Sequence, residues 1–101
     1  MKIPEPIEHQ ITVYSKSGCV NCINVKKLLI EKDIKFTIID CDEFILEDKP
    51  GFLLFIQKLS GKEYNTFPIV FSHNTFIGGF RDTEKYFTES NKLSLDFKCD
   101  F

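Results

Sequence analysis

At 101 residues, 43% of them hydrophobic, the chain has enough apolar side chains for one compact core and no room for two. A formal charge of −2 creates no basic field to draw it to phosphate backbones or anionic bilayers, which argues against nucleic acid and membranes as partners. Four cysteines would allow two disulfides, but eleven Phe supply a core without staples, and MKIPEPIEHQ has no apolar export segment, so a reducing, cytoplasmic setting is expected.

Residues 1–9, with two prolines, read as a short, loosely ordered arm ahead of a single domain over 10–101. QITVYS, 10–15, has the β-branched and aromatic residues of a first strand, and Gly18 closes it. From Val20 to Lys32, Val25, Leu28 and Leu29 recur at helical spacing with Cys22 one turn earlier, while Asn24, Lys26, Lys27 and Glu31 take the other side. KFTIID, 35–40, reads as a second strand buried on both faces, and the resulting strand–helix–strand unit implies parallel pairing. Pro50 and Gly51 interrupt the next stretch, predicting a loop through Gly51 and a helix from there to Leu59, capped by Gly61. TFPIVFSHNTFIGG gives two short apolar runs around Ser72-His73-Asn74, a hairpin signal. A last helix is expected to begin near Asp82, whose carboxylate caps it, and to run through Phe87; the tail LSLDFKCDF shows no period. The order is β-α-β-α-β-β-α: an α/β sheet with a parallel half, an antiparallel half and helices on both faces.

The chemistry gathers at SKSGCVNC, 15–22, where a C-x-x-C falls at the junction of the first strand and first helix. Cys19 lies where the first backbone N–H groups point outward unpaired, equivalent to roughly half a positive charge, which stabilises a thiolate. Lys16 is the candidate neighbouring cation. Cys22, one turn further, is within reach of a disulfide, so Cys19 attacks and Cys22 resolves. A structural zinc half-site is the competing interpretation. Zinc takes four ligands, whereas Cys41, Cys99, His9 and His73 are scattered singles, so spacing favours redox chemistry. Cys41 reads as a small hydrophobe beside the sheet, Cys99 as an exposed thiol in the tail and His73 as a turn residue. Tyr14 and Phe80 read as packing residues near the pair.

VYSKSGCVNC, then a helix, then NTFPIVF, then FIGGFRD resembles the glutaredoxins, small members of the thioredoxin superfamily, in order and spacing over about residues 10–90. The resemblance implies a thioredoxin-like fold with a four-stranded mixed sheet flanked by helices. It makes Cys19 the nucleophile, Cys22 the resolving cysteine, and Lys16 a neighbour of the thiolate and of the glycyl carboxylate of glutathione. Thr66-Phe67-Pro68 matches the family's Thr-Val-Pro, with Pro68 cis and the Phe67 backbone free to pair with the cysteinyl unit. Gly78-Gly79 and Phe80-Arg81-Asp82 match its Gly-Gly-x-[Ser/Thr/Asp]-Asp. Gly79 would let a ligand approach, and the N–H groups at Arg81 and Asp82 would meet the γ-glutamyl carboxylate.

This sequence departs from the family in four places. Val20-Asn21 replaces Pro-Tyr between the cysteines, Leu53 stands where a Gln or Arg often holds the glycyl carboxylate, Arg81 replaces a small polar residue, and the arm lacks an additional amino-terminal helix. The function implied is glutathione-dependent reduction of protein disulfides and protein–glutathione mixed disulfides by a monomer, with glutathione as co-substrate. Two other readings stay open. One is a thioredoxin-like electron donor served by a flavoprotein reductase, for example to ribonucleotide reductase; Leu53 favours it and the lack of Trp opposes it. The other is a carrier of a glutathione-ligated two-iron two-sulfur cluster that Cys19 would hold across a dimer.

Overall fold

The computed structural model describes residues 2–88 of the chain. Six elements are β1 (Ile11–Ser15), α1 (Val20–Glu31), β2 (Phe36–Asp40), α2 (Asp42–Ser60), β3 (Ile69–Ser72) and β4 (Thr75–Gly78). Residues 80–88 form a further helix, α3. The sheet runs β2-β1-β3-β4, with β1 parallel to β2 and antiparallel to β3, and β3 antiparallel to β4. This is the predicted mixed sheet.

Alternation along the two inner strands divides the core. Tyr14, Ile69 and Phe71 face Phe52 and Ile56 of α2, whereas Ile11, Val13 and Val70 face Val25 and Leu29 of α1, with Phe80 and Phe87 of α3 packed beside them. One face therefore carries α2 and the other carries α1 and α3. Every residue of β1 is buried. β2 is not the doubly buried strand its composition implied: it is an edge strand with only Ile39 fully inside, because a neighbour covers one side alone.

Three further expectations are corrected. The arm is docked: Tyr14 Oη donates to the Pro4 carbonyl (2.6 Å), the Ile7 N–H donates to Thr12 Oγ1 (2.9 Å), and Ile3 packs against the α2-side core. Helix α2 starts at Asp42, well before Gly51, as two helical segments meeting at Asp48 (φ −158°, ψ 78°). Asp48 Oδ1 accepts the Gly51 N–H (3.0 Å), capping the second segment, and Pro50 falls in its first turn, where a missing N–H costs nothing. A Cβ on Gly51 would collide with that carboxylate. The expected end holds, with Gly61 left-handed and its N–H on the Gln57 carbonyl (2.8 Å). In α3 the cap is Gly79, whose carbonyl accepts from the N–H (3.0 Å) and Oγ1 (2.8 Å) of Thr83. Asp82 sits three residues on and reaches back to the Gly79 N–H (3.2 Å), so it closes the turn instead of opening the helix. The β3–β4 hairpin turns at His73-Asn74 as expected, with His73 at φ +58°.

Candidate active site

Cys19 is the N-cap of α1, in extended conformation (φ −109°, ψ 107°). Its Sγ accepts the Cys22 N–H at 3.2 Å, and its carbonyl takes the Ile23 N–H at 3.3 Å. Negative charge developing on that sulfur meets the positive end of a 12-residue helix. Both cysteines are free thiols, and they differ in access: Cys19 is 9% exposed, Cys22 1%. Burial and then the hydrogen bond with Cys19 push the Cys22 thiol above its ordinary range, with the Lys16 backbone and Ser15 side chain pulling weakly the other way. Both side chains are largely buried, Cys19 is the more accessible of the two, and Cys22 is held as a protonated thiol. Val20, in the first turn, is 70% exposed.

The β1–α1 loop is held from the side by α2. Asp42 accepts from the Ser17 N–H (2.9 Å) and from the Ser17 hydroxyl. Those two hydrogen bonds, side chain first, pull the Asp42 carboxyl below its ordinary value, with Lys16 a smaller contributor. A depressed folded-state pKa means that the brace is present above the ordinary carboxylate range and is lost on acidification through the folded value. The Ser17 amide resonance should therefore titrate with a midpoint below about 3.9 and cease to titrate in Asp42→Asn. A midpoint at or above that value would sink the brace.

From the cysteines the expected residues adjoin one another in turn. Lys16 Nζ lies 5.5 Å from the centre of the Phe67 ring. The Phe67–Pro68 bond is cis, as the resemblance implied. Phe67 stacks on Phe52 (5.8 Å), which stacks on Phe44 (6.4 Å), so α2 carries the loop before β3. A Cβ on Gly79 would lie 3.6 Å from the Pro68 carbonyl, which places the head of α3 beside the cis-proline. Gly78 is at φ +134°, and a side chain there would collide with Asp82. Cys19, Cys22, Lys16, Phe67, Pro68, Gly79 and Asp82 are therefore linked neighbour to neighbour, with Cys22 and Pro68 buried beneath the others. Arg81 is exposed at the start of α3 and forms no ion pair among the described residues.

Leu53 lines a cleft of about 400 Å³ together with Pro50, Leu54, Gln57, Glu63, Tyr64 and Asn65. No cation lines it. Cys41 is buried, and burial above all pushes its thiol up to about 12, as fits a small hydrophobe. Tyr14 and Phe80 are core residues, and Cys99 lies outside the described residues. Asp42, Phe52 and Tyr64 carried no signal in the sequence. Each acts through a partner far along the chain, and only the Asp42 brace has even a weak local mark, an acidic residue in a first helical turn. Among the described residues no three His, Cys, Asp or Glu side chains converge. They do not by themselves supply the four ligands of a structural zinc or of a two-iron two-sulfur cluster. No helix among the described residues is long and apolar enough to cross a membrane.

A C-x-x-C at the head of the first helix and a cis-proline just ahead of β3, on a four-stranded mixed sheet, define a dithiol protein of thioredoxin-like fold. The chain belongs to the glutaredoxin family, whose model matches residues 11–77. It is 30% identical over 89 residues to human mitochondrial glutaredoxin-2, covering 88% of this chain and 52% of that protein, so it spans about half the length of that relative. It is 32% identical to the glutaredoxin-like protein NrdH of Lactococcus lactis, over 73% of this chain and 92% of that one. Among solved structures, the holo form of glutaredoxin C1 from Populus tremula x tremuloides superposes with a TM-score of 0.65 at 27% identity, over 84% of this chain and 80% of that one.

Proposed function

We propose that this chain is a glutathione-dependent thiol–disulfide oxidoreductase. The observation that carries the reading is the asymmetric pair: Cys19 Sγ at the N-cap of α1, bonded to the Cys22 N–H, with the less accessible, protonated Cys22 beside it. With a protein–glutathione mixed disulfide, the Cys19 thiolate attacks the glutathionyl sulfur, the protein thiolate leaves and takes a proton, and Cys19 holds glutathione in a mixed disulfide. A second glutathione thiolate attacks that glutathionyl sulfur, releasing oxidised glutathione and the Cys19 thiolate. With a protein disulfide, Cys19 forms a mixed disulfide with the substrate. Cys22 then loses its proton, attacks Cys19 Sγ and expels the reduced protein; two glutathiones later reduce the Cys19–Cys22 bond.

The residues beside the cysteines fit glutathione piece by piece. Lys16 faces the glycyl carboxylate, the Phe67 backbone ahead of Pro68 pairs with the cysteinyl unit, and the Gly79 turn with the first-turn N–H groups of α3 at Arg81 and Asp82 receives the γ-glutamyl end. Disulfide-bonded and glutathionylated proteins are the substrates, and a reducing, cytoplasmic setting belongs to the same reading. Turnover of a glutathione mixed disulfide with glutathione, glutathione reductase and NADPH tests the reading. No turnover from protein that still reduces insulin with dithiothreitol would remove glutathione from it.

A second reading, reduction by a flavoprotein and electron donation to ribonucleotide reductase, draws on the likeness to a glutaredoxin-like NrdH protein and on Leu53. Leu53→Gln separates the two. A restored hydrogen bond to the glycyl carboxylate at a partly exposed site should lower the KM for glutathione about threefold to tenfold. An unchanged KM would show that the carboxylate does not approach the cleft.

A further inference from the structure

The exchange reaction leaves the Tyr64 hydroxyl unused. Tyr64 sits on the connection between α2 and β3, and its ring packs edge-on against Phe76 of β4 with centroids 5.0 Å apart. That packing holds the hydroxyl over the Gly78-Gly79 turn: a Cβ on Gly79 would lie 2.8 Å from it. Among the described residues the hydroxyl makes no hydrogen bond, and it is not among the sealed, unpaired polar atoms, so solvent or a ligand reaches it. Burial first and the nearby Asp82 charge second raise the phenol above its ordinary value, which keeps it a donor at neutral pH. Beside it, the first-turn N–H groups of α3 have no intrahelical acceptor, and Asp82 uses one carboxylate oxygen on the Gly79 N–H. Donors and an acceptor within one turn suit a zwitterionic amino-acid end; neither a bare anion nor a bare cation would satisfy both.

We propose that Tyr64 is a specificity-determining residue, whose hydroxyl donates to the α-carboxylate of the γ-glutamyl unit held at the head of α3. The inference rests on the glutathione reading and extends it to a side chain 15 positions before Gly79. It also assigns a second role to Gly79: any side chain there would displace the hydroxyl.

The test is single-turnover release of one fluorescent peptide from two mixed disulfides, one with glutathione and one with cysteinylglycine, which lacks the γ-glutamyl unit. Reduced wild-type protein should favour the glutathionyl disulfide. In Tyr64→Phe the ratio of the two rate constants should fall about tenfold, the low end for a hydrogen bond to a charged group. A ratio equal to that of wild type overturns the inference while leaving the glutathione reading intact, and so does an equal fall in both rates, which marks a merely structural role. Wild-type protein that releases the peptide with no preference overturns the glutathione reading, and the Tyr64 inference with it.

Discussion

Cys19→Ser leaves no measurable turnover of a glutathione mixed disulfide, a loss of at least about a thousandfold, because the sulfur at the N-cap of α1, the more accessible of the pair, is gone. A serine hydroxyl at the same N-cap would still accept the Cys22 N–H, so the fold should survive and the loss belongs to chemistry. Cys22→Ser has the opposite profile. It keeps mixed-disulfide turnover, in which Cys22 takes no part, and loses turnover of protein disulfides, which need a second sulfur to release the substrate. Rates for both substrates in both variants decide the matter. Turnover surviving in Cys19→Ser would transfer the nucleophile to Cys22, against its burial and its raised pKa.

The largest expected loss of stability comes from Phe52→Ala. Phe52 is fully buried, stacked between Phe44 and Phe67, and packed in the cluster that joins α2 to the sheet. Removing the ring should cost about 3–5 kcal/mol, from lost transfer energy and from the cavity left between neighbours that relax only in part. For a domain of this size that is on the order of 15 °C or more in Tm. The same ring supports Phe67, so the residual folded protein should also bind glutathione more weakly. Urea unfolding of Phe52→Ala and Phe52→Leu gives the energies, and the leucine should recover much of the loss by refilling the volume. A cost below about 1 kcal/mol for the alanine would falsify the stack as a support of the site.

The departures between expectation and structure share a cause. Pro50 and Gly51 look like breakers in isolation, yet they fall in the first turn of a helical segment that Asp48 caps, where proline is tolerated and glycine leaves room for the capping carboxylate. Asp82 has the chemistry of a cap, but the chain enters α3 two residues earlier because Gly78, at φ +134°, makes the turn and Asp82 reaches back to the Gly79 N–H. KFTIID has the composition of an inner strand, but strand order is a property of the whole sheet, and its place at the edge leaves it half covered. The proline-bearing arm looks loose until Tyr14 and Thr12, both from β1, offer it partners.

By itself the sequence determined what is local: the periods of β1 and α1, the hairpin at His73-Asn74, the cysteine pair at a helix head, and the motifs that spell the family. These depend on neighbours within a turn or a hairpin, so residue order suffices to read them. Only the tertiary structure decided what depends on separation in the chain: Asp42 bracing Ser17, Phe52 carrying Phe67, Lys16 lying over that ring, and Tyr64 closing on Gly79. Such contacts exist because the sheet brings the end of β1, the start of β3 and the head of α3 to one end of its strands, and no periodicity along the chain records which side chains meet there.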